Sequence, residues 1–194
     1  MRNNYKGLVF GLAAGAALGL GAAPGAMDNA AQAADLKIGM ITTLSGGGSS
    51  LGIDVRDGFQ LALKQAGVSD VELLVEDDAR KPDIAKQIAT KFIQRDKVDI
   101  LTGIIWSNLA MAVVPAAVKE GVFYISPNAG PSALAGKLCH PNYFNVAWQN
   151  DNLHEAMGGY VQDNGFKKPF ILAPNYPAGK DALTGFKRYY TGAL

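Results

Sequence analysis

This sequence predicts an α/β protein with a parallel, doubly wound sheet, followed by the opening of a second lobe of the same kind. Three observations predict it. From Leu36 onward, short apolar runs alternate with segments of helical period, the signature of βαβ units and a parallel sheet. Val98 to Ile105 is continuous and β-branched, as a central strand covered on both faces requires. Beyond about residue 150, one short strand and two helices cannot cover both faces of another sheet, so the second lobe is expected to be incomplete and the chain a fragment of a two-lobed protein.

Element by element, Leu36 to Ile41 reads as the first strand and Thr42 to Ser50 as a Thr/Ser/Gly loop. Asp54 to Ala66 places Val55, Phe59, Ala62, Leu63 and Ala66 on one helical stripe closed by Gly67. Val71 to Val75 is the second strand. Pro82 stands where a first helical residue would, and Ala85, Ile88, Ala89, Phe92 and Ile93 form the buried stripe of the helix it opens. After the third strand, Ser107 or Asn108 is placed to cap a helix that ends at Gly121 and holds Pro115 inside it. Val122 to Ser126 and Tyr143 to Ala147 are the fourth and fifth strands. Asn152 and Glu155 have the spacing of a capping box for a helix that stops at Gly165. Phe170 to Ala173 reads as a strand, Asn175 to Gly179 as a loop, and Asp181 to Tyr190 as the last helix. The implied organisation is a leader over 1–33, a first lobe over 34–147, a hinge over 148–152 and the start of the second lobe over 153–194.

The leader follows from Arg2 and Lys6, the uncharged run Leu8 to Ala23, the break at Pro24-Gly25 and the small residues of Ala31-Gln32-Ala33. That is the pattern of a cleavable signal peptide, shorter and richer in Gly and Ala than a membrane span. Export to a periplasm is the expected destination, and the exported part keeps 16 basic and 16 acidic residues. Such a balance argues against a nucleic-acid partner. Cys139, alone in the chain, excludes an intrachain disulfide or a cysteine zinc cluster, and is expected to be a small buried apolar residue. His140 and His154 offer little for a metal site, and His154 reads as solvated or capping. Neither a metal nor a cofactor is expected.

In an open parallel sheet a ligand lies beyond the carboxyl ends of the strands. That rule selects the loop containing Ser45, the stretch Trp106-Ser107-Asn108, the stretch Asn128-Ala129-Gly130, and Asn175-Tyr176-Pro177. Hydroxyls, amides, bare backbone N–H groups and helix N-termini gather there while Lys and Arg do not, which suits a carboxylate held by neutral donors. Single Ser, Asn and Gly residues are equally ordinary caps and turns. Trp106 is either a flat wall for a ligand or packing beneath a neighbouring loop, and Tyr176 either a ring and hydroxyl supplied by the second lobe or a turn former. Catalytic patterns fare worse. Cys139 and His140 are adjacent and point apart in extended chain. Glu76-Asp77-Asp78 could be a ribose-binding acid, but after Gly46 and Gly48 the third glycine position is Leu51, so an acidic turn before the Pro82 helix is the better reading.

Leu36-Lys37-Ile38-Gly39, Leu44-Ser45-Gly46, Ile125-Ser126-Pro127 and the loop containing Tyr176 resemble the branched-chain amino-acid-type substrate-binding proteins of ABC transporters, which have the type I periplasmic-binding fold. The resemblance covers the whole mature chain and about the first half of such a protein. It implies two α/β lobes closing on a small ligand in a central cleft, delivery to a membrane permease, no covalent chemistry, and a monomer. Carried over by position, the ligand donors would be Ser107, Asn108 and Asn128 to Gly130, with Tyr176 covering from the second lobe. Asn128 to Leu134, Trp148 to Asp151 and Ala173 to Asp181 look more like the branch associated with aromatic carboxylates. The competing readings are an exported α/β enzyme, which lacks a nucleophile elbow, a P-loop and a complete glycine fingerprint, and a sensory ectodomain of the same fold.

Overall fold

A computed structural model describes residues 36–193. The leader expected over 1–33 lies outside the described residues. The first three strands are β1 (Leu36–Thr42), β2 (Val71–Asp77) and β3 (Ile100–Thr102), joined by helices α1 (Ser49–Gln65) and α2 (Pro82–Lys91), the latter running on into a π-helical turn over Phe92–Asp96. Next come α3 (Ser107–Lys119), β4 (Phe123–Ser126), α4 (Ser132–Ala135), β5 (Tyr143–Asn145), α5 (Asn152–Asp163) and α6 (Pro177–Tyr189).

All five strands are parallel, in the order β2-β1-β3-β4-β5, with Ile38 opposite Leu73 and Ile100, and Ile100 opposite Phe123. Every connection is a crossover, and the repeated helical segments supply them. A Cβ on Gly39 would strike Phe92 at 2.6 Å and Leu101 at 2.9 Å, so this side of β1 faces α2. On the opposite side a Cβ on Gly52 of α1 would lie 2.8 Å from the Thr42 hydroxyl. Helices therefore flank the sheet on both faces. The densest core forms under α2 and α3, where Ile41, Phe92, Leu101, Ile104, Leu109, Val113, Val114, Tyr124 and Leu134 pack.

Several boundaries differ from the sequence expectation for physical reasons. Helix α1 starts at Ser49 rather than Asp54, because Gly48 at φ +88° turns the loop straight into it. The β3 ladder stops at Thr102, short of Ile105. Gly103 turns away at φ +101°, pressed against β1 where a Cβ would sit 2.8 Å from the Ile41 carbonyl. Neither Ser107 nor Asn108 caps α3: Trp106 is the cap residue, in extended conformation, and no side chain bonds the free N–H groups. Pro115 lies inside α3 as expected. Asp151, not Asn152, precedes α5; the Asn152 amide instead bonds the Glu155 carboxylate at 3.3 Å.

No strand forms over Phe170 to Ala173, where Phe170 is 90 % and Leu172 88 % exposed, because no neighbouring strand is there to pair with it. The loop expected over Asn175 to Gly179 ends at Tyr176, since Pro177 opens α6. Cys139 is exposed in the turn after α4 rather than buried.

Helices α5 and α6 pack closely through glycines. A Cβ on Gly158 would lie 2.3 Å from the Phe186 carbonyl, and one on Gly185 would lie 2.5 Å from that of Asp151. Arg188 then bonds the buried Asp151 carboxylate at 3.1 Å and also pairs with Glu155.

Candidate functional site

Two groups of residues occupy the carboxyl edge of the sheet. The first is built around the β1 loop. Thr43 donates its hydroxyl to Asp78 Oδ1 at 2.6 Å and accepts the Trp106 indole N–H at 2.9 Å. Arg80 lies 3.9 Å over the Trp106 ring, and beneath the indole a Cβ on Gly48 would approach Cζ2 to 2.4 Å. The N–H groups of Leu44 and Ala79 both donate to Asp77 Oδ1 at 2.8 Å.

Burial raises the pKa of Asp77, but hydrogen bonds from the Ser45 hydroxyl and the Leu44 and Ala79 N–H groups outweigh it and hold the carboxyl below its ordinary value. Asp78 goes the other way. Burial raises it, the neighbouring Asp77 charge adds to the rise, and bonds from Thr43 and Arg80 only partly offset it. Glu76 and Asp77 thus extend β2 beyond the expected Val75, only Asp78 leads into the turn before α2, and through Thr43 it ties Trp106 into the scaffold.

The second group surrounds a hollow of about 180 Å³ where the β3 and β4 ends meet α5 and α6. Ser107, Asn128, Asn150 and His154 contribute polar groups; Ile105, Ala129, Trp148, Leu153, Tyr176 and Ala178 contribute apolar surface. Asn128 is fixed by donating its amide to the Ile105 carbonyl at 2.9 Å, while Asn150 donates to Ser107 Oγ and to Asp181 Oδ2, each at 3.0 Å. The first backbone bond of α3 is Ala110 N–H to the Trp106 carbonyl, and that of α6 is Lys180 N–H to the Tyr176 carbonyl. The N–H groups before them have no helical partner, so two helix N-termini end at this hollow. Its lining carries no carboxylate, Lys or Arg. Such a surface can hold a small anion by neutral donors against an aromatic wall.

Of the residues singled out in the sequence, Ser107, Asn128, Ala129 and Tyr176 meet here. Ser45 and Trp106 belong to the first group. Asn108 follows Ser107 in α3 and stays out of the lining. Gly130 lies behind it: its carbonyl accepts the Asn150 N–H at 2.8 Å, and a Cβ would stand 2.0 Å from the Trp148 carbonyl. Sequence reasoning missed Trp148, Asn150 and Leu153 as lining residues because the first two fell in the expected hinge. A polar hinge beside a tryptophan was the available signal.

Larger hollows exist elsewhere. One of about 380 Å³ lies between α2 and α3, and one of about 370 Å³ is lined by Lys37, Glu72, Lys91, Arg95 and Asp96. Neither is at the strands' carboxyl edge, and in the second the charges are largely paired with one another. Among the described residues no cluster of His, Cys, Asp and Glu could hold a metal ion.

Comparison with known proteins extends this geometry. The family described as periplasmic binding protein matches residues 35–193. A Leu/Ile/Val-binding protein homologue of Brucella melitensis is 26% identical over 162 residues, covering 79% of this chain and 43% of its own length. An ABC-transporter solute-binding protein from R. palustris, solved with benzoate, superposes with a TM-score of 0.76 at 31% identity, covering 82% of this chain and 46% of that one. Another from Rhodopseudomonas palustris BisB5, solved with 3,4-dihydroxybenzoic acid, gives 0.74 at 29% identity, covering 80% and 44%. The chain spans somewhat under half the length of the relatives it matches.

Proposed function

The chain belongs to the periplasmic binding protein family, and from that premise we propose that it is the solute-binding component of an ABC importer and takes a small aromatic carboxylate. The observation that carries the ligand class is the convergence of the α3 and α6 N-termini on a hollow whose lining has no carboxylate, Lys or Arg and whose walls include Trp148 and Tyr176. Free N–H groups and the Ser107 hydroxyl bind the carboxylate oxygens, Asn128 and Ala129 shape the floor, and Tyr176 covers the ring. The relatives solved with benzoate and dihydroxybenzoate support the same class. The protein binds and releases its ligand without chemical change, works in the periplasm as a monomer after loss of its leader, and hands the ligand to a membrane permease by closing a second lobe over it.

A branched-chain amino acid is the second reading, favoured by the Leu/Ile/Val-binding relative. It differs in needing an acceptor for an ammonium group beside the carboxylate donors. A thermal-shift comparison decides between them, because a ligand that binds only the folded state raises the melting temperature. Benzoate and hydroxybenzoates are expected to stabilise the protein while leucine and valine do not; stabilisation by the amino acids alone would overturn the aromatic reading.

A further inference from the structure

We propose that Asp181 fixes, through Asn150, the direction of the Ser107 hydroxyl proton and aims it into the hollow, making Asp181 the residue that selects a carboxylate over the matching carboxamide. The selectivity rests on the carboxylate reading above; the proton direction does not.

Asp181 stands in the second turn of α6, outside the lining. Its Oδ2 accepts two N–H donors, Ser132 N at 3.1 Å and Asn150 Nδ2 at 3.0 Å. An oxygen so occupied acts as an acceptor, so the Asn150 side chain must present its NH2 and not its carbonyl. This settles an amide orientation that geometry alone leaves ambiguous. The other hydrogen of that NH2 reaches Ser107 Oγ at 3.0 Å. Ser107, only 3 % exposed, is therefore the acceptor in this pair, and its single proton must point elsewhere. The side open to it is the hollow that Ser107 lines.

The consequence is a patch of donors where α3 begins: the Ser107 O–H beside the bare N–H groups of its first turn. A carboxylate presents two acceptors to it. A carboxamide presents one acceptor and one NH2, which then meets a donor with no partner. With alanine at position 181 no acceptor holds the Asn150 NH2 and the constraint is gone. Asn150 can turn its carbonyl toward Ser107, take the hydroxyl proton, and leave Ser107 free to accept from the carboxamide.

The test uses the full chain with benzoate and benzamide as probes, measured by calorimetry. The wild type is expected to prefer benzoate, and Asp181→Ala to cut that preference about tenfold; the Ser132 N–H that it also leaves without its side-chain acceptor affects both probes alike and cancels from the ratio. In a Ser107→Ala background the same change should have no further effect on the preference; an equal effect there, or an unchanged preference in Asp181→Ala alone, overturns the proposal. Nitrogen-15 spectra of the Asn150 side-chain amide, assigned with Asn150→Ala, give a readout without ligand. Both NH2 resonances should shift in Asp181→Ala, and unshifted resonances overturn the proposal whatever binds. Should the wild type bind neither probe, the carboxylate reading fails and these resonances alone decide the proton's direction.

Discussion

The Trp106 indole donates to the Thr43 hydroxyl at 2.9 Å, so the aromatic ring that follows β3 is anchored under the β1 loop instead of being offered to the hollow. Arg80 closes it from the other side at 3.9 Å. Of the two roles the sequence leaves open for Trp106, these contacts support packing, and the aromatic walls of the hollow come from Trp148 and Tyr176.

Trp106→Phe tests this directly. It keeps most of the stacked surface and removes one hydrogen bond to a buried hydroxyl, a loss of about 1 kcal/mol in unfolding free energy. Denaturant titration should register that loss, while calorimetry with benzoate should find the affinity within about twofold of wild type, a difference too small to reflect a lost ligand contact. A large drop in affinity with unchanged stability would put the ring back in the site.

Part of this was legible from residues alone, and the reasons for the rest are specific. The apolar period placed β1 and α2 well, since both are buried on the faces the pattern marks. The strand-end rule put Ser107, Asn128 and Ala129 beside the hollow, because position along a parallel strand dictates which residues reach that edge, whereas Tyr176 arrives there at the start of α6 and not on the strand expected over Phe170 to Ala173. What failed was governed by contacts distant in sequence. Ile104 and Ile105 read as strand, yet Gly103 diverts them into the loop that carries Ser107. Phe170 to Ala173 has strand composition but no neighbour to pair with. Asn150 looked like linker, and only its bonds to Ser107 and Asp181 reveal its place beside the hollow.

Asp78 makes a pH prediction. Burial, reinforced by Asp77, raises its pKa in the folded state above the ordinary 3.8, and its Oδ2 is buried without a partner. The native state therefore binds the proton more tightly than the unfolded chain, so this residue's contribution favours folding at low pH and is lost as pH rises through the raised value. Asp77, held low by its hydrogen bonds, contributes in the opposite sense and loses its contribution as pH falls through its lowered value. Asp78→Asn keeps an acceptor for Thr43 and Arg80 but carries no charge at any pH. Relative to wild type, its melting temperature should rise from about pH 4 until the raised pKa is passed and then level off; parallel curves would mean that Asp78 titrates normally.

Ser107 and Asn128 should govern affinity, and Ser45 should not. Ser107→Ala deletes a donor facing the ligand, and Asn128→Ala leaves the Ile105 carbonyl without its amide partner. Each is expected to weaken benzoate binding by about 1–3 kcal/mol, roughly five- to a hundredfold. The Ser45 hydroxyl is engaged with Asp77, so Ser45→Ala should leave binding unchanged and lift the Asp77 pKa instead. Equal loss in all three variants would indicate a general disturbance of the sheet edge.

Gly130 offers a contrast with Gly159 that isolates the crossing from β5 to α5. At Gly130 a Cβ would stand 2.0 Å from the Trp148 carbonyl and 2.7 Å from Asn145 Nδ2, and those two atoms are themselves bonded at 2.9 Å. The added methyl cannot fit unless the segment carrying Trp148 and Asn150 moves away from the β4 end, where Asn150 N–H is bonded to the Gly130 carbonyl. Gly130→Ala should therefore lower stability by about 1–3 kcal/mol or more, and lower benzoate affinity with it, since both the aromatic wall and the Asn150 amide shift. Gly159 sits inside α5 with nothing within 4 Å of its Cβ position. Gly159→Ala should raise stability by up to about 1 kcal/mol, through helix propensity alone, and leave binding intact. If Gly130→Ala folds and binds as the wild type does, the close approach of Gly130 to Trp148 is not what holds the crossing segment against the sheet.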